Sequence, residues 1–181
     1  MYANLEINTD RLKLKTFSLN DFEHLLRIVN DESLMKPVPF STARTEEECK
    51  DLLDRILKRY SESAIDDFKG FLLNIKLKDA NANIGFVRLF PLSYDSKQIE
   101  LFYGIFEEYY NQGYALEAAI TIRDYSFYSM NFNEIVSTVK PENAASIRVL
   151  EKIGMKFDHK IVDEESDDSS YQGELLYRVT K

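Results

Sequence analysis

The first part of the chain changes between strand-like and helix-like spacing of its apolar positions. Polar and apolar side chains alternate over residues 11–17, as in a half-buried strand. A predicted N-cap at Ser18 then opens a helix that continues to about Val29, with apolar residues at the spacing of one helical stripe. A capping-box pattern beginning at Thr45 starts a second amphipathic helix, which ends near Ser61.

Strand periodicity dominates the next part of the chain. Three alternating segments are expected to form an antiparallel meander, at 71–77, 84–90 and 98–106. A long helix with a face of small residues, a short buried strand, a last helix and two final strands follow, at 113–130, 135–139, 143–153, 155–163 and 171–180. Gly154 is the predicted C-terminal cap of the last helix.

The resulting order, β-α-α-β-β-β-α-β-α-β-β, predicts an α+β domain with seven strands and four helices, because strand runs and helices are interspersed. The sequence contains no internal repeat, low-complexity tract or linker-like stretch. We therefore expect one domain over residues 1–181.

Composition narrows the function classes. With 44% hydrophobic residues the chain is too apolar for a disordered protein, and its net charge of -8 argues against a dedicated nucleic-acid binder. A single cysteine, Cys49, excludes an internal disulfide and a cysteine-based zinc site, and the two histidines, His24 and His159, lie far apart, so no metal is expected. No apolar run is long enough for a membrane span, and the N-terminus lacks a signal-peptide pattern, so we expect a cytoplasmic protein without membrane association.

The sharpest candidate for chemistry is the junction at residues 109–115, between a strand and the long helix. A helix N-terminus has unpaired N–H groups and a partial positive charge, and so can hold a phosphate. Gly113 tolerates positive φ freely and Asn111 is among the most tolerant of the other residues, which would let the backbone wrap an anion. The same features also fit an ordinary helix start, and neither a Walker motif nor Gly-x-Gly-x-x-Gly occurs.

Two segments together resemble the GNAT family of N-acetyltransferases. Residues 99–105 and 110–118 resemble the family's central motif, and residues 143–155 resemble its next motif. Residues 9–15 are similar to the first strand of the RimJ/RimL-like branch, which contains ribosomal-protein N-terminal acetyltransferases. The resemblance implies a GNAT fold, with a mixed, mostly antiparallel twisted sheet of about seven strands flanked by four helices.

The resemblance also implies acetyl-CoA as cosubstrate, bound where the fourth and fifth strands splay apart. The backbone of Ile105 and Phe106 is then expected to pair with the pantetheine arm, and the side chain of Asn143 to contact it. The pyrophosphate is expected on the N–H groups of five residues: Asn111, Gln112, Gly113, Tyr114 and Ala115. Tyr110 and Asn111 stand where the RimJ/RimL-like branch commonly has Trp and Gly.

Catalysis needs a base for the amine and a proton donor for the leaving thiolate. In many GNAT enzymes a tyrosine is the donor, and Leu150 occupies that position, so the resemblance assigns the role to Ser146 one turn earlier. Glu100, on the strand expected to face the cofactor, is the candidate base, directly or through water. A structural or substrate-binding role for this carboxylate is the alternative.

We therefore expect an N-acetyltransferase that acts by direct attack in a ternary complex. The acceptor would be a protein N-terminal α-amine or a small-molecule amine, walled by the first two helices and residues 36–42 and attracted by the acidic stretch 163–168. The alternatives are a polyamine or aminoglycoside acetyltransferase and a non-catalytic acyl-CoA-binding module. Monomer and homodimer both remain open.

Overall fold

The computed structural model describes residues 2–35, 44–64, 67–162 and 171–181. In these ranges the chain forms one eight-stranded sheet with five α-helices, which confirms the α+β class, with one strand more than the predicted seven. The strands are β1 (Glu6–Asn8), β2 (Leu12–Thr16), β3 (Phe71–Leu77), β4 (Asn83–Pro91), β5 (Ile99–Ile105), β6 (Glu134–Val139), β7 (Lys156–Lys160) and β8 (Leu175–Thr180). The helices are α1 (Phe22–Asn30), α2 (Glu32–Met35), α3 (Glu46–Glu62), α4 (Tyr114–Tyr128) and α5 (Ala144–Lys152).

Helix starts follow the capping signals of the sequence. The Ser18 N–H donates to Asp21 Oδ2 at 2.8 Å, although a 3-10 turn precedes α1 here. The Thr45 N–H donates to Glu48 Oε2 at 2.8 Å, and the Glu48 N–H donates back to Thr45 Oγ1 at 3.2 Å. Both predicted caps are therefore confirmed.

Two short elements were not predicted. Strand β1 has only three residues and pairs antiparallel with β2, and α2 is a single turn of four residues. Segments this short carry no readable hydrophobic period, so sequence patterns do not reveal them.

The sheet order is β1-β2-β3-β4-β5-β6-β8-β7. Neighbouring strands are antiparallel except β5 and β6, which are parallel and register at one pair in the described chain, Glu100 with Val136. The sheet therefore opens between these two strands toward the C-terminal end of β5. This is the splay that the family resemblance implies between the fourth and fifth predicted strands.

Helix α4 packs against the sheet through small side chains, as predicted. Ala118, Ala119 and Ser126 are fully buried on this face together with Ile122. Small residues let the helix lie close to the strands and bring its N-terminus to the end of β5. No helix within the described ranges is both long and apolar enough to cross a membrane.

Candidate active site

The turn before α4 has a left-handed backbone conformation at two positions. Asn111 has φ 59° and Gly113 has φ 79°, so the predicted left-handed positions are both confirmed. Residues 111–113 are exposed, and α4 begins at Tyr114. The first N–H groups of the helix are thereby presented to solvent beside the end of β5.

An arginine from the other end of the chain supports this turn. Arg11 Nη1 donates to the Gln112 carbonyl at 2.9 Å, and Arg11 Nε donates to Glu117 Oε2 at 2.7 Å. Its guanidinium lies 4.6 Å from the centre of the Tyr114 ring. Burial acts to raise the pKa of the Glu117 carboxyl, but hydrogen bonds from Thr9 and Arg11 outweigh it and lower that pKa. Sequence reasoning missed this contact because the partners lie about a hundred residues apart.

At the end of β5, the backbone N–H and C=O groups of alternate residues point into the splay. The Phe106 N–H donates to the Ile84 carbonyl at 2.9 Å, and the Phe106 carbonyl accepts from Tyr109 N–H at 2.9 Å. Because neighbouring residues of a strand point their backbone groups to opposite sides, those of Ile105 point away from β4 and toward the splay. Of the two residues expected along the pantetheine arm, Ile105 has the suitable orientation.

A small cavity lies in the splay, with a volume of about 30 Å³. Strands β5 and β6, helix α5 and the residue before β8 supply its walls. The lining includes Tyr103, Thr138, Asn143, Ser146, Leu150 and Glu174.

Ser146 is held at this cavity by its backbone. Its N–H donates to Asn143 Oδ1 at 3.1 Å, which makes Asn143 the N-cap of α5. Its carbonyl accepts from the Tyr103 hydroxyl at 3.3 Å. The cap uses only the amide oxygen of Asn143, so the amide nitrogen can still donate to a ligand.

Glu100 is buried behind the cavity wall, with 3% of its surface exposed. Its Oε2 accepts from Arg88 Nη2 at 3.1 Å, and its Oε1 accepts from the Thr138 hydroxyl at 2.7 Å. Both oxygens therefore have partners, and one partner carries a compensating positive charge. Glu100 does not line the cavity itself but is hydrogen-bonded to Thr138, which does.

Glu174 is a second buried carboxyl, which sequence reasoning missed. It is 4% exposed and lines the cavity directly, and its Oε1 has no hydrogen-bond partner among the described residues. Burial raises the pKa of the Glu174 carboxyl to about 7. In the sequence Glu174 lies within the last predicted strand, 171–180, shortly after an acidic stretch, and no pattern marks its side chain as buried. The apolar residues directly after it were the one signal of burial nearby.

Comparison with known proteins identifies the fold family. The family model described as an acetyltransferase (GNAT) domain matches residues 11–156, which is most of the chain. The chain belongs to the GNAT family. It is accordingly an acyltransferase.

Individual relatives agree with this assignment. An uncharacterized N-acetyltransferase, YnaD from Bacillus subtilis, is 31% identical over 152 residues, which cover 84% of this chain and 83% of YnaD. The structure of the ribosomal α-N-protein acetyltransferase RimL with coenzyme A has a TM-score of 0.80 at 13% identity, covering 97% of this chain and 98% of RimL. The spermidine N-acetyltransferase of Vibrio cholerae with CoA and spermine has a TM-score of 0.75 at 20% identity, covering 95% and 96%. At these identities the two structures show the shared fold.

In this GNAT protein the predicted residues fall into two groups. Residues 111–115 form the exposed turn and the half-buried first residues of α4, whereas Asn143 and Ser146 lie at the cavity and Glu100 lies behind it. Tyr110, which replaces the branch's usual Trp, is 46% exposed beside the turn.

The expected acceptor walls at 36–42 and the acidic stretch 163–168 lie outside the described residues. Among the described residues no cluster of three or more His, Cys, Asp or Glu is placed to hold a metal.

Proposed function

We propose that this protein transfers an acetyl group from acetyl-CoA to a primary amine, and that one domain spanning residues 1–181 carries the activity. The observation that supports this most is the joint placement of an anion-binding turn and an open strand splay. The turn presents helix N–H groups at Gly113, and the splay holds a polar cavity next to Ser146. An elongated ligand with a pyrophosphate at one end and a thioester at the other fits this arrangement.

The proposed donor contacts follow the geometry. The N–H groups of residues 111–115 hold the pyrophosphate, since a left-handed turn and a helix N-terminus converge there. The backbone of Ile105 pairs with the pantetheine arm, and Phe106 closes the end of the strand. The Asn143 amide nitrogen donates to the same arm.

The proposed reaction is direct attack in a ternary complex. A neutral amine attacks the thioester carbonyl, and the Ser146 hydroxyl protonates the departing thiolate. Ser146 suits this role because its backbone is fixed on both sides and its side chain lines the cavity. Glu100 is the candidate base from the sequence, whereas its pairing with Arg88 and Thr138 supports the alternative structural role.

The acceptor is proposed to be a protein N-terminal α-amine or a small-molecule amine. RimL is named for the first kind and spermidine N-acetyltransferase for the second, and both share this fold. We favour the RimJ/RimL-like branch because residues 9–15 resemble its first strand.

Thiol release from acetyl-CoA, measured with a panel of amines, tests the proposal. The panel should contain spermidine, an aminoglycoside and a short peptide with a free N-terminal serine. Release that depends on one of these amines is the expected result. Tight CoA binding without release on any of them would instead identify a non-catalytic acyl-CoA-binding module.

A further inference from the structure

Two buried carboxyl groups flank the hydroxyl of Thr138, and their surroundings differ. Glu100 accepts from both Arg88 and Thr138, so its negative charge is compensated. For Glu174, the Oε1 atom has no hydrogen-bond partner among the described residues. A carboxylate that is already paired is a poor proton acceptor, whereas an unpaired buried one gains from taking a proton.

Glu174 also has the position that a base needs. Its backbone is fixed, because its N–H donates to the Tyr171 carbonyl at 3.0 Å and its carbonyl accepts from Ile161 N–H at 2.9 Å. Its side chain lines the same cavity as Ser146. The volume of about 30 Å³ is close to that of one water molecule, and hence of one ammonium nitrogen.

We propose that Glu174 is the catalytic residue that removes the proton from the acceptor ammonium group in this cavity. The proposal rests on the proposed acetyl transfer and deepens it. Glu100 then acts as a positioning residue, since it is paired with Arg88 and accepts the hydrogen bond that orients the hydroxyl of Thr138 between the two carboxyls.

The proton and bond balance is complete. The acceptor R–NH3+ gives one proton to the Glu174 carboxylate, and the free amine forms a C–N bond to the acetyl carbon. As the C–S bond breaks, the Ser146 hydroxyl gives its proton to the thiolate, and the second amine proton passes to the Ser146 oxygen in its place. In sum, R–NH3+ and acetyl-CoA give the acetamide, CoA-SH and one proton. This proton is released from Glu174 to solvent.

The groups facing Glu174 determine how it titrates. Burial is the largest influence and raises its pKa, the Thr138 hydroxyl lowers it, and Glu100 raises it. Lys140 lowers this pKa and Glu142 raises it, both from the end of β6 and the turn before α5, with a net pKa of about 7. The carboxylate form that can accept a proton therefore increases as the pH rises through neutrality.

Glu174→Gln tests the proposal, because the amide keeps the shape but cannot take a proton. We expect kcat with the best amine of the panel to fall by about 100-fold or more, and the rise of kcat through neutral pH to disappear. The Kd for CoA should stay within about twofold of the wild-type value, since the donor contacts are unchanged. Glu151→Gln, at an exposed position of α5, is the matched control and should retain the rate and the pH profile.

Glu100→Gln separates the two carboxyls. It should lower kcat while the rise through neutral pH persists, because Glu174 still titrates. The assignment is overturned if Glu174→Gln keeps wild-type kcat and pH profile, or if Glu100→Gln alone removes the profile. Absence of amine-dependent thiol release in the wild type overturns the proposed function itself, and this base with it.

Discussion

The turn before α4 and the cavity between β5 and β6 are built by opposite means. The turn at residues 111–113 is exposed, consists of consecutive residues, and presents the first backbone N–H groups of α4. The cavity takes its polar groups from β5, β6, α5 and the residue before β8, at Tyr103, Thr138, Ser146 and Glu174. Helix geometry is enough to bind a phosphate, whereas proton transfer depends on burial and on which charges are paired.

The largest expected effect is a change in the pH dependence of protein stability when Glu174 at the cavity is replaced. The folded-state pKa of Glu174, about 7, lies above its usual value of 4.5, so folding disfavours its charged form. Stability from this group is present below about pH 4.5 and is lost as the pH rises to about 7. The free energy of unfolding of Glu174→Gln, relative to that of the wild type, should therefore increase by about 3 kcal/mol from about pH 4 to about pH 8. Urea unfolding at several pH values measures this difference in unfolding free energy between variant and wild type.

Glu151→Gln serves again as the control in that experiment. At this exposed position of α5 the substitution alters no buried group, so the difference in unfolding free energy between Glu151→Gln and the wild type should be the same at every pH measured. A constant difference for Glu174→Gln as well would show that Glu174 is not a perturbed carboxyl.

The next effect concerns the turn. Gly113→Val places a β-branched residue at φ 79°, a conformation that costs about 1–3 kcal/mol, and should raise the Kd for CoA by about 30-fold. Calorimetric titration with CoA measures the change. Gly154→Val is the matched control, because Gly154 has φ 86° at the end of α5 and an added Cβ there would make only an ordinary contact, at 3.9 Å from Val179 Cγ2. It should lose stability with little change in CoA affinity, and an equal loss of affinity in both variants would refute the turn as the phosphate site.

Ser146→Ala should have an intermediate effect at the cavity. Alanine keeps the helix and the backbone contacts, so CoA binding should be unchanged, while kcat falls by about 10-fold. The thiol of CoA is an acceptable leaving group, which keeps this effect smaller than that of the base. Steady-state thiol release with the same amine measures it, and wild-type turnover would remove the role assigned to Ser146.

Arg11→Ala should give the smallest effect, at the turn. The side chain is 47% exposed, so its pairing with Glu117 is screened by solvent. We expect the Kd for CoA to rise about threefold, and less at high salt. Lys58→Ala breaks an exposed pair on α3 and is the control that should leave CoA affinity unchanged. Equal affinity in both variants would mean that Arg11 does not support the turn.

The same contrast explains how far sequence reasoning reached. The left-handed positions at Asn111 and Gly113 and the caps at Ser18 and Thr45 were predicted correctly, because each depends on residues a few positions apart. The compensation of Glu100 by Arg88 and the burial of Glu174 were not predicted. They follow from strand pairing across the sheet, which one sequence does not encode in any local pattern.

The central claim is that donor binding and proton transfer take place in separate regions. The most direct test is steady-state kinetics of Gly113→Val and Glu174→Gln, measured side by side with acetyl-CoA and the best amine. We expect Gly113→Val to raise the KM for acetyl-CoA while kcat is largely kept. We expect Glu174→Gln to lower kcat and remove its rise through neutral pH, while the KM for acetyl-CoA is kept. If both variants changed the same parameter to the same degree, the two regions would not have the separate roles assigned to them.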